Sequence, residues 1–408
     1  MYSEKIICCY DYYLSMDKEP FKYGKPVTGK YFVNRENELK QLYNLTLAIR
    51  SGGEVNIGLV GLRRTGKTSL LKNLMEKLGN EKDIIVVFLD CYGIPSKNTF
   101  SKLLTEAVKD AYIEKSKDID YKDRIVDLRK RKTSEVLSKA SGMEVSIAHY
   151  LSIKIGFREK AGDLWEKSLG YAEKIGNEKD VYFAIMLDEF PDIAMRWGED
   201  FVKRFRAVTQ HQTRVMYILS GSAVSYMGEL VSSKSSPFYR QLNIIKIEKL
   251  PSDIVKDFIM KRLNIIKTVL EKYVILTGGF PDYMQRLGHI LFYKFGNSNI
   301  TIRMLDEAYR EMISSLESEF KETLNRLNSK SGVYGDIILS LPYYSSLSEI
   351  ARELNISQSS LPKYLNYLIN IGIVKKVGRG KYMLSDPVFN NWAKTIEHSY
   401  LGSSALQD

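Results

Sequence analysis

The sequence predicts an α/β fold built on a parallel sheet. Between Val55 and about Leu250, short apolar segments alternate with longer amphipathic ones. The apolar segments read VNIGLV, IIVVFLD, VYFAIMLD, VMYILSGS and IIKIE. They are rich in β-branched residues and almost continuously apolar, as strands are when helices cover both faces of a parallel sheet. We therefore expect these segments to be the strands of one α/β core.

Two changes of pattern divide the rest of the chain. After Pro251 apolar residues recur at helical spacing, and from about Ser331 three short helices and two strands are expected. A charged, mostly helical insert at 96–180 contains an alternating segment at 143–157 that predicts a projecting hairpin. The expected organisation is a lead-in at 1–30, a core at 31–250, a helical lid at 251–328 and a C-terminal domain at 329–408.

The composition of the 408 residues narrows the class of protein. Its three cysteines form no C-x-x-C pair and its four histidines are scattered, so neither a disulfide framework nor a zinc site is expected. No apolar run approaches the roughly 20 residues of a membrane span, which favours a cytoplasmic protein without a membrane partner. The net charge of +11 favours a polyanionic partner.

The segment GLRRTGKTSLL, at 61–71, satisfies the phosphate-loop pattern G-x-x-x-x-G-K-[ST]. It follows the apolar strand VNIGLV and precedes an amphipathic helix, which is the context that the pattern requires. The N–H groups of such a loop face an anion. We expect Lys67 to reach the β- and γ-phosphates of ATP and the Thr68 hydroxyl to bind Mg²⁺. The residues expected to bind the nucleotide here are Gly61, Leu62, Arg63, Arg64, Thr65, Gly66, Lys67, Thr68 and Ser69.

An acidic pair, Asp188 and Glu189, follows the apolar run FAIML. Asp188 is expected to hold the magnesium ion, and Glu189 to orient and deprotonate the attacking water. An acidic pair after a strand is common, but together with the phosphate loop it predicts ATP hydrolysis and not only ATP binding.

Two further polar residues suit the same cleft. Ser222 ends the strand VMYILSGS and is expected to sense the γ-phosphate, although a strand that simply ends in turn residues is an open alternative. Arg240 precedes the last strand and is a candidate arginine finger, because a planar cation stabilises charge in the transition state. An ordinary surface ion pair is the alternative for Arg240.

The segment 345–387 predicts a winged helix-turn-helix. Ser346 and Glu349 form a capping box, and a tight turn follows at Asn355. The candidate recognition helix is expected to start near Ser359, with Pro362 in its first turn.

Every charged residue between Leu354 and Ser385 is basic, which suits contacts with phosphates. Winged helices also bind proteins, so that alternative stays open. The residues expected to contact double-stranded DNA are Gln358, Ser359, Ser360, Lys363, Tyr364, Lys375, Lys376, Arg379 and Lys381.

An ordered series of segments resembles the archaeal-type ATPases, members of the AAA+/STAND branch of P-loop NTPases. The resemblance spans residues 20 to about 290 and rests on PFKYGKPVTGKYFVNRENELKQL, GLRRTGKTSLL, IMLDEF, ILSGSAVSYM, SPFYRQ and GGFPDYMQRL. It implies a P-loop NTPase core of the ASCE/AAA+ type with five parallel strands, a helical lid and nucleotide-dependent homo-oligomers. Relatives often have a glycine before the arginine finger, where this chain has Tyr239.

The resemblance also assigns residues to the nucleotide. It implies an adenine pocket near Phe32, Asn34 and Arg35, and a lid turn that brings Pro281 close to the base. Arg286, on the helix after that turn, is implied as a lid sensor.

These observations favour a DNA-associated ATPase that uses ATP and Mg²⁺. A slowly hydrolysing signalling switch or transcriptional regulator, whose C-terminal domain contacts protein, is the alternative. A small-molecule kinase would share the phosphate loop but would not need the basic C-terminal domain.

Overall fold

The computed structural model describes residues 20–52, 56–116, 164–222, 226–228, 230, 236–239 and 241–404. The predicted hairpin at 143–157 and the candidate finger Arg240 lie outside these described residues. No helix in the described part of the chain is long and apolar enough to cross a membrane.

In the part of the chain that the structure describes, five parallel strands form the sheet, which confirms the fold class predicted from the apolar segments. The strands are β1 Asn56–Val60, β2 Ile84–Asp90, β3 Tyr182–Asp188, β4 Val215–Gly221 and β5 Leu242–Lys246. Their order is β2-β3-β4-β1-β5, with every neighbouring pair parallel. Because the carboxyl ends of parallel strands meet at one edge, this order brings together the residues that follow β1, β3 and β4.

Helices pack on the sheet, and its central strands β3 and β4 are correspondingly apolar and buried. β4 is buried along its whole length, and β3 is buried from Phe183 onward. Burial on both faces explains why these strands read as continuous apolar runs instead of alternating ones. The described helices that accompany the sheet are α1 Glu36–Leu47, α2 Lys67–Leu78, α3 Lys97–Ser116, α4 Leu164–Lys179 and α5 Phe190–Thr209.

The chain forms two compact units. The sheet unit comprises Arg35–Arg63 and Lys67–Glu248, and the helical unit comprises the described residues of Met1–Asn34, Arg64–Gly66 and Lys249–Asp408. Three residues of the phosphate loop therefore belong with the helical unit.

Helices dominate the helical unit, as the spacing of apolar residues after Pro251 predicts. Its helices are α6 Ser252–Met260, α7 Lys267–Thr277, α8 Pro281–Phe295, α9 Ile302–Asn328, α10 Gly332–Ser340, α11 Leu347–Glu353, α12 Leu361–Asn370 and α13 Pro387–Ser404. The antiparallel strands β6 Val374–Gly378 and β7 Lys381–Leu384 form a hairpin between α12 and α13.

The C-terminal module, residues 332–404, contains the expected local structure at and after the start of α11. The Ser346 hydroxyl accepts a hydrogen bond from the Glu349 N–H at 3.2 Å, and the Glu349 carboxylate accepts one from the Ser346 N–H at 2.9 Å. This reciprocal pair is the predicted capping box. Asn355 adopts φ 51° at the predicted turn.

The later helices of this module differ in detail from the expectation. α12 begins at Leu361 and not near Ser359, because the Ser357 hydroxyl accepts from the Ser360 N–H at 3.2 Å and holds the preceding residues in a turn. The helix α13 was not expected at all. Its local signal is Asp386 followed by Pro387, an N-cap residue before a proline in the first turn.

Candidate nucleotide site

The phosphate loop turns from β1 into α2 with an unusual backbone. Gly66 adopts φ 94° and Arg64 adopts φ 68°. These values lie in the left-handed region, which glycine adopts freely and other residues rarely do. α2 begins at Lys67, so the positive end of its helix dipole lies at the loop. A tight turn ending at a helix N-terminus is suited to binding an anion.

Lys67 is almost entirely buried beside this loop. Only 4% of Lys67 is exposed, and its ammonium donates to the carbonyl oxygens of Gly61 at 2.9 Å and Leu62 at 3.1 Å. Burial lowers the pKa of Lys67, while the carboxylates of Glu189 and Asp188 act in the opposite direction. A buried ammonium held only by neutral oxygens gains charge-assisted hydrogen bonds when phosphate oxygens reach it.

Thr68 and Asp188 meet at the edge of the sheet. The Thr68 hydroxyl donates to Asp188 Oδ2 at 2.6 Å, and Asp188 Oδ1 accepts from the Glu189 N–H at 3.2 Å. Asp188 is 1% exposed. A hydroxyl and a carboxylate are oxygen ligands of the kind that Mg²⁺ prefers, and Mg²⁺ commonly takes only one or two carboxylates beside substrate phosphates. This pair therefore fits the ion that the sequence predicts.

Glu189 lies next to the pair and is held by Ser222. Glu189 adopts φ 50° between β3 and α5. Its Oε2 accepts from the Ser222 hydroxyl at 2.9 Å and from the Ser222 N–H at 3.3 Å. The sequence predicts a phosphate sensor at Ser222, and the structure shows its hydroxyl bonded to the carboxylate of the predicted general base.

A close approach of two backbone segments, which sequence reasoning missed, places Ser222 there. A Cβ added to Gly221 would lie 2.3 Å from Cγ of Pro191, in the first turn of α5. Only a residue without a side chain lets the end of β4 come this close to the start of α5. The sequence signals for this close approach are the glycine directly before Ser222 and the proline two residues after Glu189.

The three lead-in residues that the resemblance assigns to adenine are divided between the two units, with Arg35 in the sheet unit and Phe32 and Asn34 in the helical unit. Arg35, 6% exposed, donates to the Glu38 carboxylate at 2.9 Å and to the Glu248 carbonyl oxygen, all within the sheet unit. Its guanidinium thereby joins the start of α1 to the chain after β5. Phe32 is half-buried, and Asn34 adopts φ 54°; both belong to the helical unit.

The lid residues lie on α8 of the helical unit. Pro281 occupies the first turn of that helix. The Arg286 guanidinium stacks on the Tyr23 ring, 4.5 Å from its centroid, and Arg286 Nε lies 3.9 Å from the Asp282 carboxylate. Arg286 thus stacks against the lead-in segment inside its own unit.

The residues predicted to contact DNA are mostly exposed. Tyr364 is half-buried, and its ring packs edge-on against the Tyr334 ring with the two centroids 5.5 Å apart. Lys375 is half-buried, at the base of the hairpin. The exposed members of the set are Gln358, Ser359, Ser360, Lys363, Lys376, Arg379 and Lys381.

Comparisons with known proteins show which family and which solved structures the chain is similar to. The profile of a family described as an ATPase domain predominantly from Archaea matches residues 32–287. In structure, the chain is similar to a Walker-type ATPase of Pyrococcus abyssi, with a TM-score of 0.64, 17% identity, and coverage of 91% of this chain and 99% of that one. A lower TM-score of 0.48, at 15% identity, relates it to the Aeropyrum pernix Orc1 protein in complex with DNA, covering 91% of this chain and 94% of that one.

Among curated sequences, an uncharacterized protein of Methanocaldococcus jannaschii is 25% identical over 219 residues. That match covers 50% of this chain and 46% of the relative, so the chain spans about half the length of the curated relative it matches. The family profile alone covers well over half of the chain and contains the phosphate loop, the acidic pair and Ser222. The chain therefore belongs to the family of ATPase domains found predominantly in Archaea.

Proposed function

We propose that this protein binds ATP at the carboxyl edge of its sheet and hydrolyses it with Mg²⁺. The observation that carries the proposal is the meeting of Thr68 with Asp188 at 2.6 Å, directly beside the buried Lys67. Thr68 in the first turn of α2 and Asp188 at the end of β3 are 120 residues apart in sequence, and their contact supports a shared ligand.

In the proposed reaction, Lys67 exchanges two loop carbonyls for the β- and γ-phosphate oxygens of ATP. Thr68 and Asp188 would hold Mg²⁺, which neutralises the charge on those oxygens. Glu189 orients the attacking water and takes its proton. Ser222 fixes the Glu189 carboxylate through its hydroxyl and its backbone N–H, which both donate to Glu189 Oε2.

We further propose that nucleotide state controls assembly, or how the C-terminal module holds duplex DNA. The exposed basic residues of the β6–β7 hairpin support a phosphate-binding surface. The alternative, a regulator whose C-terminal module binds protein, is supported by apolar residues on the same hairpin. Val377 on β6 is 50% exposed and Met383 on β7 is 39% exposed, and exposed apolar side chains can serve in protein contacts.

Steady-state turnover with and without duplex DNA tests both parts of the proposal. Glu189→Gln should retain ATP binding and lower kcat by at least ~100-fold, the usual contribution of a general base. Turnover of Glu189→Gln equal to that of the unmodified protein would exclude the assigned role. Stimulation by duplex DNA favours the DNA-associated ATPase, and slow turnover that DNA does not change favours the regulator.

A further inference from the structure

Arg64 is a phosphate-loop residue whose side chain is engaged elsewhere in the helical unit. Its guanidinium donates to the Glu319 carboxylate of α9 and, at 3.3 Å, to the Asp282 carboxylate of α8. The side chain is only 10% exposed. Two carboxylates thus fix a buried cation whose backbone takes the left-handed φ of 68°. Such a conformation persists only where surrounding contacts enforce it.

The Arg64 guanidinium also lies over an aromatic ring. Its centre is 4.7 Å from the centroid of the Tyr283 ring, a distance typical of a cation–π contact. The hydroxyl at the other end of Tyr283 donates to Oδ2 of Asp386. Tyr283 is therefore a buried bridge between a loop arginine and a carboxylate more than 300 residues later in the chain.

Asp386 in turn holds the first turn of α13. Its Oδ1 accepts from the N–H of Val388 at 2.8 Å and from the N–H of Phe389 at 3.1 Å. Burial raises the pKa of Asp386, while the Tyr283 hydrogen bond and the charge of Arg64 act in the opposite direction. The electrostatic environment of this helix cap therefore includes the loop arginine.

We propose that Arg64 is a positioning residue that couples the phosphate loop to the C-terminal module through Tyr283 and Asp386. All three belong to the helical unit, so the link lies within one compact body. In its nucleotide-dependent part the proposal rests on the proposed ATP binding. When loop amides bind phosphate oxygens, the backbone at Arg64 adjusts, and the change reaches the cap of α13 through the Tyr283 ring and hydroxyl.

Hydrogen exchange of the Val388 and Phe389 amides tests the link in the full-length protein. Without nucleotide, Arg64→Met should raise exchange of these amides about threefold, as expected for loss of one cation–π contact. Tyr283→Phe, which keeps the ring and removes the hydroxyl, should raise it similarly. Arg64→Lys should restore part of the protection. The matched control is Arg262→Met, because Arg262 stacks on Phe258 in the same unit at 3.6 Å and should leave these two amides unchanged.

A second experiment measures the coupling between ATP binding and the cap of α13, by calorimetry with Mg–ATP and by hydrogen exchange with and without ATP. Because coupling is reciprocal, ATP should alter exchange at Val388 and Phe389, and Asp386→Asn should alter ATP affinity by about the same factor. A helix cap with only a structural role would change thermal stability and leave ATP affinity unchanged. Combining Tyr283→Phe with Arg64→Met should add little to either variant alone.

The outcomes separate this inference from the proposed function. Unchanged exchange at Val388 and Phe389 in nucleotide-free Arg64→Met overturns the link, whatever ATP does. ATP binding without any effect at these amides overturns the coupling and leaves ATP binding intact. If the unmodified protein binds no ATP, the proposed function fails, and the nucleotide-free variants still decide whether Arg64 acts on α13.

Discussion

The edge of the sheet and the basic hairpin of the C-terminal module differ in how much structure constrains their side chains. At the sheet edge Lys67 and Asp188 are buried, and each functional group bonds to another: lysine to carbonyls, threonine to aspartate and serine to glutamate. On the hairpin, Lys376, Arg379 and Lys381 are exposed. At the sheet edge, contacts between the side chains restrict which ligand and reaction the site suits. On the hairpin, the prediction of DNA contacts rests only on positive charge and exposure.

The largest expected effect is on DNA affinity, when the positive charges of the β6–β7 hairpin are removed. Replacing Lys375, Lys376 and Arg379 together by Ala should weaken duplex DNA binding on the order of 100-fold at low salt. It should also reduce the slope of log affinity against log salt by roughly two to three units, because each phosphate contact releases about one counterion. A salt titration of DNA affinity measures both quantities.

The matched control for the triple variant removes the same charge elsewhere. Lys261, Lys294 and Lys321 each pair with a carboxylate of a neighbouring turn or helix in the helical unit. Their joint replacement by Ala should change DNA affinity far less. Equal losses in the two triple variants would mean that net charge, and not the hairpin, determines binding.

At the sheet edge, Gly221→Ala tests whether close backbone approach sets the geometry. The added methyl group would meet Pro191 at 2.3 Å and push Ser222 away from Glu189. Turnover should fall ~10- to 100-fold, since displacements near 1 Å at a catalytic group have effects of that size. Gly170→Ala is the control, because a Cβ there meets nothing within 4 Å. Turnover in Gly221→Ala that matches Gly170→Ala would contradict this explanation.

A smaller effect is expected when only the Ser222 hydroxyl is removed. Ser222→Ala deletes one of two hydrogen bonds to the Glu189 carboxylate and should lower kcat by about tenfold, the value of a hydrogen bond to a charged group. Ser222→Thr keeps a hydroxyl and should recover most of the rate. Failure of threonine to recover any activity in a folded protein would argue against the hydroxyl as the active group.

The smallest expected effect is a proton taken up on ATP binding. Burial lowers the pKa of Lys67, and phosphate oxygens favour its charged form, so the pKa rises when ATP binds. A pKa raised by the ligand means that ATP affinity is highest at low pH and decreases as pH rises through the lowered pKa that Lys67 has before ATP binds. Calorimetry in buffers of different ionisation enthalpy measures the uptake. The lack of any proton uptake over the pH range in which ATP affinity falls would contradict the expected rise in the pKa of Lys67.

Sequence patterns predicted those features that depend on neighbours along the chain. The strand segments, the phosphate loop before α2 and the Ser346–Glu349 capping box each follow from local spacing, and the structure contains all three. The sequence also contains a local signal for the start of α13, at Asp386 and Pro387, but no helix was predicted after the β6–β7 hairpin.

Contacts between distant segments could not be predicted in the same way. The Ser222–Glu189 bond requires the approach of Gly221 to Pro191, and no periodicity indicates which glycine permits such an approach. Likewise, the loop motif predicts that Arg64 binds the nucleotide. Only the fold shows that its guanidinium is bound by Asp282 and Glu319.

Calorimetric titration of Mg–ATP into three forms of the full-length protein tests the central claim most directly. The unmodified protein and Lys77→Ala, a change at an exposed lysine of the same helix α2, should bind ATP alike. Lys67→Ala should show no measurable binding while remaining folded by circular dichroism. Binding by Lys67→Ala with the affinity of the unmodified protein would contradict the assignment of this sheet edge as the nucleotide site.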